Sequence, residues 1–185
     1  MIKKFLQAAL VVAGSLALGG CPEMAQTAAP TKAPPAPNYQ SASATPIPPA
    51  ANIRAICYND TDLNVIRSRM LHQELVVATL QCQSPSGARA FDAIFGSYLN
   101  KFQPELTTNA RSLQQLAGRK RFNVDTLVTE FSNRMAQHAP VDKDFCSRSL
   151  RAIEWALDAK ASSLALVPPP YDLGPEMNIY PCPAK

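Results

Sequence analysis

The sequence predicts an all-α protein, an antiparallel four-helix bundle stapled by disulfides and carried on a disordered Pro/Ala-rich linker. Three observations predict it. From Thr61 onward the apolar residues recur at helical spacing and nowhere alternate with comparable strength. Of the 17 prolines, eight lie between Pro22 and Pro49 and six between Pro168 and Pro183, leaving only Pro85, Pro104 and Pro140 in between. Proline lacks an N–H and clashes with the preceding helical turn, so the helical domain is expected over residues 52–167, with a Pro-rich tail at 168–185. Setting Cys21 aside, four cysteines remain, an even number. A chain of 185 residues, 46% of them hydrophobic, can build one domain with a real core, and two large domains are excluded.

The first helix is expected from about Asp62 to Gln81, with Leu63, Ile66, Met70 and Val77 on one line and Leu71, Leu75, Ala78 and Cys82 beside it. Asp60 or Thr61 is its expected N-cap. Ser84-Pro85-Ser86-Gly87 breaks the chain, with Ser84 or Ser86 as the next cap. The second helix carries Phe91, Phe95, Tyr98, Phe102, Leu106, Ala110, Leu113 and Ala117, a stripe whose phase passes through Pro104 and so predicts a kink there. Gly118 is expected to end it, followed by a basic loop, Arg119-Lys120-Arg121. Asn123 caps a third helix with Val124, Leu127, Val128, Phe131 and Met135 on one face, closed by Pro140. Asp142 opens a fourth, carrying Cys146, Leu150, Ile153, Leu157 and Leu164 and stopping before Pro168. Short connections between amphipathic helices argue an antiparallel bundle.

That topology selects a cysteine pairing. An intact first helix holds Cys57 and Cys82 ~30 Å apart at 1.5 Å per residue, far beyond the ~6 Å Cα separation a disulfide tolerates. In an up-down-up-down bundle the end of helix one meets the start of helix four, which brings Cys82 to Cys146 and leaves the tail to carry Cys182 back to Cys57. Cys57 with Cys146 and Cys82 with Cys182 is the alternative. A zinc site fails on spacing, since there is no Cys-x-x-Cys pair and neither His72 nor His138 stands at a ligand interval from a cysteine.

The amino terminus reads as an address. Lys3 and Lys4 precede an apolar run from Phe5 to Leu18 and then Leu18-Gly19-Gly20-Cys21, the layout of an export signal over residues 1–20 that is too short to span a bilayer. Those last four residues resemble the lipobox of bacterial lipoproteins. The resemblance implies cleavage after Gly20, acylation of Cys21 and stable anchoring to a membrane by two or three acyl chains, with the outer membrane as the family default over the inner. Gly19 stands where Ala or Ser is more usual, and an ordinary secretory signal cleaved nearby is the alternative. Residues 21–51 are then the lipidated cysteine and a linker of mostly Ala, Pro, Thr, Ser, Gln and Asn, with too little apolar bulk to repay ordering entropy.

The run Glu74-Leu75-Val76-Val77-Ala78-Thr79-Leu80-Gln81-Cys82 and the pair Phe145-Cys146 resemble uncharacterised exported helical proteins of Gram-negative bacteria, which implies a shared fold and export and no activity. No Ser/His/Asp set or Gly-x-Ser-x-Gly turn is present, and no cofactor or metal is expected. Glu74 sits near the apolar stripe, with Arg69, Arg111 or Arg151 as its expected partner. His72 and His138 are expected to be solvated, and Trp155 to pack under the Cys182 tail. Arg119, Lys120 and Arg121 are the candidate contact for a membrane or partner. Without Lys3 and Lys4, 16 basic residues face 14 acidic ones, which disfavours nucleic acid. The expectation is a non-enzymatic lipoprotein of the cell envelope that faces the periplasm and assembles with another envelope protein. The alternative is a module that holds a small apolar ligand or unfolded client in the seam of Phe91, Phe95, Tyr98 and Phe102.

Overall fold

A computed structural model describes residues 37–43 and 52–183; the export signal, Cys21 and the rest of the linker lie outside the described residues. The chain is mostly helical, with α1 at Asp60–Gln81, α2 at Asp92–Lys120, α3 at Val124–His138 and α4 at Phe145–Leu157. Helix α1 is the hub and packs against the other three. Its buried residues therefore run around most of its circumference, from Leu63, Ile66 and Met70 to Leu71, Leu75 and Ala78.

The termini depart from the sequence expectation in informative ways. Helix α1 is capped one residue earlier than expected, by Asn59, whose side chain accepts from the Asp62 N–H at 2.8 Å. Neither Ser84 nor Ser86 caps α2. Residues 83–90 instead fold into a tight turn in which Gly87 takes a φ of 82° and the Ala90 N–H returns to Cys82 O, so the helix begins only at Asp92. It runs on through Pro104 without a break. Gly118 does not end it. Two further residues stay helical because the Arg54 guanidinium donates to Lys120 O at 3.1 Å, and Arg121 takes the left-handed position instead. Asn123 does cap α3, accepting from the Thr126 N–H. Helix α4 starts after Asp144 rather than at Asp142 and stops at Leu157, well short of Leu164. There Lys101 of α2 donates to Ala156 O and Asp158 O, a cation on the negative end of the helix, and Glu105 takes the Ser163 hydroxyl and the Leu164 N–H into a separate 3-10 turn.

Short strands, absent from the sequence reading, tie the two chain ends together. Strand β1 (Ala42–Ser43) runs parallel to β3 (Tyr171–Asp172), and β2 (Ile56–Tyr58) parallel to β4 (Ile179–Pro181). Parallel neighbours need a long crossover, and here the whole helical region is the crossover. The Cys57–Cys182 bridge, with Cα atoms 4.6 Å apart, spans β2 and the residue after β4. The second bridge joins Cys82 at the end of α1 to Cys146 in the first turn of α4, with Cα atoms 5.7 Å apart.

The Pro-rich tail is part of the core. Tyr171, Leu173, Met177 and Ile179 are all buried, and the Tyr171 ring lies between His138 of α3 (centroids 5.0 Å) and Phe145 of α4 (6.1 Å). Residues 37–43, inside the stretch read as linker, are docked too. Tyr39 is buried, its hydroxyl donating to Pro168 O at 2.5 Å. One aromatic side chain supplies the apolar area that the surrounding Ala, Pro and Ser cannot.

Candidate functional site

The densest chemistry in the described residues is a buried polar cluster where the tail meets α1 and α3. Glu74, in the middle of α1, is fully buried, and its Oε2 accepts the Tyr171 N–H at 3.0 Å. The arginines expected as its partner are elsewhere: Arg69 bonds Asn109 and Leu106 O, and neither Arg111 nor Arg151 pairs with Glu74. Its carboxyl is pushed well above the usual carboxylate range by burial, against the pull of the Tyr171 N–H, with the charges of Asp172 and Glu176 pushing further. Burial thus disfavours the charged form of Glu74, whose other oxygen has no hydrogen-bond partner among the described residues.

A raised carboxyl pKa has a definite sign in stability. Above the unfolded value of 4.5 the unfolded chain releases a proton that the folded chain keeps, so this group weakens the fold as pH rises through the folded pKa. Glu74→Gln keeps the shape and removes the titration. Urea unfolding should find the two proteins closest in stability near pH 4, with the variant gaining on the parent as pH is raised to 7. A difference that does not change with pH would show that Glu74 ionises freely.

Next to it, Glu176 of the tail is buried between two residues of α3, 3.5 Å from Arg134 Nη1 and 3.4 Å from His138 Nε2. His138 is 1% exposed and His72 largely buried, so neither is the solvated histidine expected. Burial, with help from the Arg69 charge, pulls His72 down to about 4, which keeps its ring neutral against Phe95 and Tyr98. The Tyr171 hydroxyl donates to Asp142 at 2.5 Å, with Arg148 stacked over the ring. Trp155 is buried, its indole N–H donating to Leu166 O at 3.1 Å, just before the tail. These groups fasten the tail. Among the described residues no three His, Cys, Asp or Glu side chains converge as a metal site.

The basic triplet lies in the last turn of α2 and just beyond, not in a loop. Arg119 pairs with Asp62 at 2.8 Å, and Lys120 donates to Cys57 O at 3.1 Å while covering the Tyr58 ring. Two of the three thus hold the segment that leads into α1. Arg121 lines a small cavity with Asn52, Ile53 and Phe122.

The aromatic seam of α2 is filled by its own stack. Phe91, Tyr98 and Phe102 are buried, and Tyr98 sits 5.5 Å from both Phe95 and Phe102. Open space lies beside the seam instead, in a groove of about 710 Å³ between α1 and α2 that Arg69, Leu99, Leu106 and Arg111 line. Leu99, Leu106 and Ala110 recur at i, i+7 and i+11, a secondary stripe legible in the sequence but masked there by the stronger aromatic one. No protein-family model, curated protein or solved structure matches the chain.

Proposed function

We propose that the chain is a non-enzymatic lipoprotein of the cell envelope, anchored through Cys21 and facing the periplasm, whose helical domain serves as a structural or assembly partner for another envelope component. The observation that carries this reading is the cysteine set. All four cysteines among the described residues are in disulfides, which suits an oxidising compartment, and the fifth stands in a lipobox-like run. No described helix is long and apolar enough to cross a membrane, so attachment rests on the acyl chains. In this reading the four helices alternate in direction, as the bridge from the end of α1 to the start of α4 favours, with α2 kinked at Pro104 and the tail occupying space between α3 and α4.

Mass spectrometry of the mature amino terminus tests the anchor: a start at Cys21 carrying diacylglycerol is expected. Cys21→Ser should leave the protein in the soluble periplasmic fraction. An unmodified start at another residue would replace anchoring by simple secretion. The seam rings stack on one another, and the α1/α2 groove offers open volume beside them.

A further inference from the structure

We propose that the groove between α1 and α2 binds a single-chain carboxylate amphiphile, its head group held by Arg69 and Arg111 and its apolar chain laid along Leu106 and Leu99 toward the amino-terminal half of α2. The inference does not depend on whether Cys21 is acylated.

Arg69 is half-buried and held in place. Its Nε donates to Asn109 Oδ1 at 3.1 Å and its Nη2 to Leu106 O at 3.4 Å, while the buried Asn109 is itself fixed by donating to Val65 O at 2.8 Å. Yet among the described residues no ion pair includes Arg69, and no carboxylate lines the groove. Taking a guanidinium partly out of water without a counter-ion costs free energy, and burial lowers its pKa accordingly. Arg111 stands on the same wall, one turn beyond Thr107, and makes no ion pair either. Glu105 would be the obvious internal counter-ion, but both its oxygens are occupied by Ser163 and Leu164.

The groove also has two unlike ends. Arg69 reaches α2 at Leu106 and Asn109, close to Arg111, so the positive charge is gathered at one end. The wall from Ala110 back to Leu99 spans eleven residues, about 16 Å at 1.5 Å per residue, with side-chain amides of Asn100 and Gln103 at its edge. A planar fork of N–H donors fits a carboxylate in two-point contact, and the single charged end facing an apolar strip fits one head and one chain. An extended peptide would instead need backbone partners, which a helical wall with its own hydrogen bonds satisfied does not offer.

The test is calorimetric titration of dodecanoate, below its micelle concentration, into the mature chain carrying Cys21→Ser, which has no acyl groups. Saturable 1:1 binding is expected, with dodecanol at least about tenfold weaker because Arg–carboxylate contacts are charge-assisted. Arg69→Gln should weaken binding most but also removes contacts to α2, so two gentler variants accompany it. Arg111→Gln, at an exposed residue, should cost about tenfold, and Gln103→Trp should block the groove with no change of charge. Equal binding of dodecanol, or dodecanoate binding untouched by Arg111→Gln and Gln103→Trp, would overturn the proposal. So would tighter binding of dodecyl phosphate than of dodecanoate, or binding of a Glu/Leu heptapeptide where dodecanoate fails.

Discussion

Dithiothreitol added to the folded protein is expected to release two thiols first, from Cys57 and Cys182, and the other two only as the domain unfolds. Exchange requires a thiolate to reach a sulfur atom. Cys57 is exposed and Cys182 half-buried, so either sulfur of that bridge can be attacked; in the other bridge Cys146 is exposed but Cys82 is 1% exposed, so attack at Cys146 must expel a thiolate into the core, and exchange there goes to completion only as the domain opens. The bridges close loops of 125 and 64 residues, for which chain entropy gives upper figures of about 5 and about 4 kcal/mol. The smaller loop lies wholly inside the larger. With the inner bridge closed, the free contour of the outer loop is cut by about half, and its contribution falls toward about 4 kcal/mol. Losing both is comparable with the whole stability of an ordinary domain, about 5–15 kcal/mol. The pair Cys57→Ala/Cys182→Ala should therefore stay folded with a lower urea midpoint, and the fully reduced chain should lose its helical circular dichroism. Thiol titration against time separates the outcomes: four thiols released together in one first-order phase would mean that the outer bridge opens only by global unfolding.

The helices were legible because a 3.6-residue apolar period runs through each of them, and α1 and α3 were placed to within two residues of their observed starts. Helix ends were less legible because they depend on side chains distant in sequence. Nothing near Gly118 announces that Arg54 will cap Lys120, and nothing near Leu157 announces that Lys101 will collect the last carbonyls of α4. Strands of two or three residues are too short to show a period, so β1 to β4 left no pattern to read. Tyr39 and Tyr171 carried a signal that composition hid. Each is a large aromatic in a run of prolines and small residues, where a purely disordered or solvated segment has little use for one. The polar cluster could not be foreseen, since Glu176 meets Arg134 and His138 across some forty residues, and the local alternatives for Glu74 all looked more natural than a backbone N–H nearly a hundred residues away.

Arg134→Met is expected to destabilise the domain by about 3–5 kcal/mol, because it strips a buried carboxylate of its cation and leaves the charge of Glu176 to be held by His138 alone. Both side chains are nearly inaccessible, 8% for Arg134 and 7% for Glu176, so water cannot replace the lost partner without opening the tail. The loss should therefore be local before it is global. Tyr171, whose N–H is given to Glu74 and whose ring is stacked on His138, sits five residues before Glu176 on the same docked segment. Its amide should exchange faster in the variant, whereas amides of α1 such as Leu71 and Leu75 should follow only the change in global stability. Removing the second charge reverses the argument. In Arg134→Met/Glu176→Gln the buried carboxylate is gone and only the more exposed Glu130, 3.7 Å from Arg134 in the parent, has lost its cation, so most of the lost stability should return, since a buried ion pair is worth little over a neutral pair of similar volume. Urea unfolding of the two single variants and the double one measures that coupling directly. Additive losses would mean that Arg134 and Glu176 act separately, and the tail would then be held by the apolar burial of Leu173, Met177 and Ile179 rather than by its charge.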